Sequence, residues 1–307
     1  MRPDTNADPL KLAIALHEEY MAAPSVANLP NLLEAVRLYQ VALSIHTERY
    51  FPHRWAMIQN NLALAYGDLP TGDRGANLKQ AITCYEAALE VCKEWDLPAD
   101  WAGIQNNLAI AYADLPTDDR SVNLKQAIAC WKAALRVYTE DKFPEDWAMT
   151  QNNLALAYTN LSAGDRGANL KQAIACYESA LRVFTELDFP VLWATTQNNL
   201  ALAYADLAVG DRDGNLKRAV ACCEAALRVR TEREFPVDWA MTQTNLALAY
   251  AHLSSGDRGT NLKRAITCYE AALRVYTERD FPVKWATTQK NLALAYADLP
   301  AQTVTGT

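Results

Sequence analysis

The chain predicts an all-α solenoid of about thirteen antiparallel helices. Three observations lead there. Its 307 residues repeat themselves at a fixed interval: WAMIQNNLALAY at Trp55 returns with small changes at Trp101, Trp147, Trp193, Trp239 and Trp285, always 46 residues on. Each repeat holds two stretches with apolar residues at three- and four-residue spacing, the mark of a buried helical face. Between them lie clusters of Gly, Pro and Asp such as LPTGDRGA, which is loop chemistry.

The elements follow in order. In the repeat covering 52–97, Pro52 suits a helix start, where its missing N–H costs nothing. Trp55, Ile58, Gln59, Leu62 and Tyr66 share one face, which predicts helix A over about 53–68. Asn77, with Gln80 three residues on, forms a capping-box pattern and opens helix B over about 77–94; Asp73 is the competing cap, one turn earlier. Leu78, Ala81, Ile82, Tyr85, Ala88 and Leu89 line the apolar face of helix B. The same words, more worn, precede the first full copy. Asn31-Leu32-Leu33-Glu34-Ala35-Val36 stands 46 residues before Asn77-Leu78-Lys79-Gln80-Ala81-Ile82, and Tyr20 stands 46 before Tyr66, so a degenerate helix A is expected at about 9–22. The count becomes seven A and six B helices in one repeat domain. It divides into a degenerate capping repeat (1–50), five regular repeats (51–282), an unpaired final helix A (283–298) and a polar tail (299–307).

Composition narrows the function classes. Half the residues are apolar and 21% are charged, as expected of a folded chain. A net charge of −7 and a pI near 5.2 argue against nucleic acid, which selects a basic stripe. Lys284 and Lys290 are too few to change that. No run approaches the ~18 apolar residues of a membrane span, and MRPDTNADPLKLAIALHEEY does not read as a signal peptide. Five of the seven cysteines, Cys84, Cys130, Cys176, Cys222 and Cys268, hold one slot in successive repeats. Equivalent slots in stacked helices sit roughly 10 Å apart, beyond the ~7 Å reach of a disulfide. Buried thiols in a reducing cytoplasm fit best. The histidines His17, His46, His53 and His252 match no repeat slot, and HExxH, CxxC, GxSxG and Walker patterns are absent. The expectation is a non-enzyme without metal or cofactor.

Leu62-Ala63-x-x-Tyr66 and Ala81-x-x-x-Tyr85-x-x-Ala88 resemble the L-G-x2-Y and A-x3-F elements of the tetratricopeptide repeat (TPR). The period departs from that family, 46 residues here against about 34 there. The GDRxxNLxxAI and FPxxWAxxQNNLAxAY words are similar to the long TPR repeats of cyanobacteria and other filamentous bacteria. Such arrays often precede CHAT protease domains or signalling NTPases. The resemblance covers nearly the whole chain. It implies a right-handed superhelix whose A helices line a concave wall, and a role as adaptor or sensor arm in a bacterial signalling or defence assembly. It brings no protease with it, since no residues remain to build one.

Four repeated slots are candidates for function. Asn61, Asn107, Asn153, Asn199, Asn245 and Asn291 fill one position in all six copies; the position before them holds Asn60, Asn106, Asn152 and Asn198, then Thr244 and Lys290. Asn is a mediocre helix former, about 0.7 kcal/mol worse than Ala, so a compensating role is expected. One reading is a grip on an extended peptide, because the carboxamide pairs with both backbone groups, and asparagine ladders of the TPR proteins it resembles hold a peptide main chain. The other is an internal ladder between helices. Leu64 and its equivalents Ile110, Leu156, Leu202, Leu248 and Leu294 follow one turn later as shallow apolar contacts. Asp68, Asp114 and Asp206 close helix A against the macrodipole, which suggests either a basic group on the ligand or a cap for the next loop. The Asp-Arg pairs of the GDR loops suggest inter-repeat ion pairs or loop caps, and the Trp row suggests core packing. The expected partner is therefore a protein or peptide. Self-assembly is the second class, through the last helix, where Leu292, Ala293, Ala295 and Tyr296 are expected to leave apolar area exposed.

Overall fold

The computed structural model describes residues 8–116 and 119–299. Thirteen α-helices and no strand occur among them: α1 (Pro9–Ala22), α2 (Leu29–Ile45), α3 (Pro52–Asp68), α4 (Arg74–Val91), α5 (Pro98–Asp114), α6 (Arg120–Ala134), α7 (Pro144–Asn160), α8 (Arg166–Ala180), α9 (Pro190–Asp206), α10 (Arg212–Ala226), α11 (Pro236–His252), α12 (Arg258–Leu273) and α13 (Pro282–Ala297). Odd-numbered helices are the A helices and even-numbered ones the B helices. Residues 300–307 of the expected polar tail lie outside the described residues.

The chain divides into two compact units, Met1–Thr150 with Asn160–Ser162, and Gln151–Thr159 with Ala163–Thr307. In the first unit α1 through α6 pack each on the next in chain order; in the second, α8 through α13 do. Short connections make these neighbours antiparallel, so each unit is an α-solenoid. A helices also touch the next A helix (α1 with α3, α3 with α5; α9 with α11, α11 with α13), whereas among the described residues no pair of B helices approaches as closely. Within each unit the A helices thus form the inner, shorter layer.

Local chemistry explains the boundaries. Helices α3, α5, α9, α11 and α13 each open on a proline at N1 behind an uncapped Phe or Leu. The phenylalanine packs instead against the aromatic ring at the end of the preceding turn, as in Tyr138–Phe143 and Phe184–Phe189, with centroids 5.5 and 5.6 Å apart. B helices start earlier than the capping-box reading predicts. Asp73 is the N-cap and accepts from the Ala76 N–H at 2.9 Å. Asp119, Asp165, Asp211 and Asp257 cap the later copies in the same way. Helix α4 accordingly spans Arg74–Val91 rather than 77–94. Asn77 serves the loop instead. Its amide donates to the Thr71 carbonyl at 2.9 Å and holds the loop against the helix, as Asn261 does to Ser255. The loop turns on Gly72, Gly164, Gly210 and Gly256, whose φ of 80–84° is open to glycine at little cost.

The core is one recurring set. Leu78, Ala81, Tyr85 and Ala88 of α4 are buried, as are their copies Leu262, Ala265, Tyr269 and Ala272 of α12. Trp101, Trp147, Trp193 and Trp239 are each only 8% exposed; Trp55 and Trp285 are half-buried. Their outer faces are covered by arginines, with Arg136, Arg228 and Arg274 lying 5.1, 5.0 and 5.1 Å above Trp101, Trp193 and Trp239. The same arginines pair with Glu94, Glu186 and Glu232 at 2.6–2.7 Å. The Trp row is packing material. In α13, Leu292 and Ala295 are buried against the expectation, because they face α12; Ala293, Leu294 and Tyr296 are exposed.

Candidate functional site

The two asparagine slots separate in space. The first faces the next repeat. Asn106 Oδ1 accepts from the Trp131 indole N–H at 3.1 Å and lies 3.5 Å from the Thr150 hydroxyl. Asn152 Oδ1 accepts from Thr196 at 3.1 Å. Asn198 is 2% exposed and accepts from the Asn245 amide at 3.0 Å. Asn60, opposite Ile104 rather than a threonine, accepts from the Asn107 amide at 3.4 Å. This slot is an internal ladder from one repeat to the next.

The second slot keeps spare hydrogen-bonding groups at a partly open surface. Asn153 and Asn291 are half-buried and form no side-chain hydrogen bond among the described residues. Asn107 and Asn245 donate backwards from their amides, which leaves their carbonyl oxygens without a donor. Asn61 and Asn199 only accept, from Asn60 and Asn198 at 3.4 and 3.5 Å, which leaves their amide hydrogens free. One turn on, Ile110, Leu156, Leu202 and Leu294 are exposed, and Leu64 and Leu248 are half-buried.

These slots meet in one cleft between neighbouring A helices, and each unit shows it. In the first unit Leu64, Asp68, Arg74, Asn107, Ile110 and Asp114 help enclose about 170 Å³. In the second, Leu248, His252, Arg258, Asn291, Leu294 and Asp298 enclose about 210 Å³ at the equivalent positions. A half-exposed apolar floor with free carboxamides on its rim suits an uncharged main chain.

The acidic slot does not present free charge. Asp114, Asp206 and Asp298 lie 3.9, 3.1 and 3.4 Å from Arg74, Arg166 and Arg258, and Asp68 lies 3.0 Å from the His17 imidazole. Each of those arginines also donates to a carbonyl in the last turn of its own helix A (Gly67, Thr159 and Ala251), neutralising the dipole end that the carboxylate opposes. In the Asp-Arg words of the loops the Asp is the N-cap in all five, and Arg74, Arg166 and Arg258 are inter-repeat ties as well. The row gives no reason for a basic ligand.

The repeated cysteine slot is inert chemistry. Cys84, Cys130, Cys222 and Cys268 are free thiols whose pKa burial raises to about 11. Among the described residues no group of three or more His, Cys, Asp or Glu is placed to hold a metal ion, and no helix is long and apolar enough to cross a membrane.

Fold and cleft together define the class as an all-helical repeat protein with an A-helix surface of leucines and asparagines. No family model matches the chain, and a comparison with curated proteins finds no match. Among solved structures, it is similar to the crystal structure of BtubC (BKLC) from P. vanneervenii, with 18% identity over 87% of each chain and a TM-score of 0.47.

Proposed function

We propose that this chain is a non-catalytic, TPR-like scaffold that lays an extended segment of a partner polypeptide along its A helices. The supporting observation is the second asparagine slot, with unused carboxamide groups beside a half-exposed leucine row, in a cleft that recurs in both units. The amides would take the partner's main chain, and Leu64, Ile110, Leu248 and Leu294 would contact its side chains. Recognition of that kind gives affinity with modest sequence selectivity. Placement in the cytoplasm is supported by the free thiols of the repeated cysteine slot, and the role as adaptor or sensor arm of a bacterial signalling or defence assembly by the resemblance of the repeat words alone.

Ile110→Asp combined with Leu294→Asp tests this reading. Both side chains are exposed, so stability should change by about 1 kcal/mol or less. Capture of interacting protein from a bacterial lysate should fall at least about tenfold, since each change sets a charge against an apolar contact. Undiminished capture by this variant would argue against the cleft.

A second reading is self-association through α13, favoured by Val283, Leu294 and Tyr296 at 78, 56 and 50% exposure. Concentration-dependent mass in sedimentation distinguishes it from a monomer that holds another protein.

A further inference from the structure

A cavity of about 710 Å³ lies in the first unit, between the opening turns of α3 and α5. Two departures from the repeat create it. At one slot the chain places Cys92, Tyr138, Phe184, Arg230 and Tyr276; at another it places Met57, Gly103, Met149, Thr195, Met241 and Thr287. Cys92 and Gly103 are the smallest side chains of their series, and both line the cavity. The second unit shows the filled version. There Arg230, at the Cys92 slot, is 5% exposed and donates to Thr195 and Thr242 at 3.0 and 3.1 Å. The equivalents of those threonines are Met57 and Ile104, which stand on the wall of the open cavity.

The lining is that of a small-molecule site. Tyr138 is only 9% exposed, and its hydroxyl has no hydrogen-bond partner among the described residues. Tyr276, at the same slot, donates to the Val237 carbonyl at 3.3 Å. Burial raises the Tyr138 phenol to about 12, so it stays a neutral donor at physiological pH. The unused carbonyl of Asn107 is a second polar point. Met57, Leu97 and Ile104 supply apolar walls, while Arg54 and Asp100 bring one formal charge of each sign to the lining. The volume falls in the range of about 300–1,000 Å³ common to ligand pockets.

We propose that this cavity binds an uncharged, largely apolar ring compound carrying one hydrogen-bonding group, oriented by the Tyr138 hydroxyl and the Asn107 carbonyl. The cavity shares Asn107 with the polypeptide cleft, but its Tyr138, Cys92 and Gly103 lie outside that cleft.

The test uses the full chain and 6-propionyl-2-dimethylaminonaphthalene, a neutral aromatic ketone whose carbonyl accepts from the Tyr138 hydroxyl and whose fluorescence shifts to the blue in apolar surroundings. Saturable binding of about one probe per chain is expected. Gly103→Met and Cys92→Tyr each place in the cavity a residue the chain itself uses at that slot, and each should weaken binding at least about tenfold with helicity retained. A Cβ at Gly103 would meet the Tyr138 hydroxyl at 3.3 Å, so Cys92→Tyr is the control against crowding there. Tyr138→Phe should weaken binding about three- to tenfold, as loss of one neutral hydrogen bond does. Absence of saturable binding, or unchanged binding in both filled variants, would overturn the proposal. Equal affinity for the anionic probe 8-anilinonaphthalene-1-sulfonate would overturn its uncharged character.

Discussion

Trp193→Ala will destabilise the second unit by about 3–5 kcal/mol, the usual cost of removing a large aromatic from a packed site. The ring is 8% exposed, so its removal leaves a large gap in the packing. The change also strands Arg228, now 5.0 Å above the ring and joined to Glu186 by two short hydrogen bonds. That stacking adds about 0.5–1 kcal/mol at an exposed edge. Urea unfolding followed by circular dichroism reads the effect. Because solenoid stability is a sum of repeat and nearest-neighbour terms, the loss should appear first as early melting of the repeats beside α9. A cost below about 1 kcal/mol would mean that the indole is not a structural wedge.

Asn198→Ala and Asn153→Ala will move stability in opposite directions. Asn198 is almost fully buried and takes a 3.0 Å hydrogen bond from Asn245. Its removal leaves that amide without a partner, which costs about 1–3 kcal/mol. Asn153 is half-buried, and its side chain is bonded to nothing among the described residues. Alanine is the better helix former, so its replacement should be neutral or stabilising by up to about 0.7 kcal/mol. Chemical denaturation of the two variants side by side checks the sign. Equal losses at both positions would mean that both slots hold the solenoid together and that the second has no surplus for a partner.

Most of the fold was legible because each repeat restates it. The 46-residue period, the proline at the start of each helix A and the loop glycines mark the helices directly, and the degenerate α1 appeared through Tyr20 and through the helix B words that follow it at 31–36. The start of helix B was harder. Asp73 and Asn77 are both good cap residues one turn apart, and only the loop's need for the Asn77 amide at the Thr71 carbonyl decides between them. The candidate site was legible as slots and not as geometry. Adjacent asparagines on a helix are about 100° apart; which one meets the neighbouring repeat depends on a crossing angle that no single repeat encodes. The pairing of Asp114 with Arg74 across repeats was hidden for the same reason. The cavity was present in the sequence as two exceptions, Cys92 and Gly103, and a comparison of slots for size would have found both. That they stand side by side, next to an unpaired Tyr138 hydroxyl, required the structure.

The central claim is that the second asparagine slot holds a partner's main chain. Its most direct test is capture by the wild-type chain and by an Asn153→Ala/Asn291→Ala variant, whose two side chains hold no internal hydrogen bond among the described residues, with thermal melting recorded for both. The variant should melt at or slightly above the wild-type temperature and lose the captured protein. Full capture by an equally stable variant would contradict the claim.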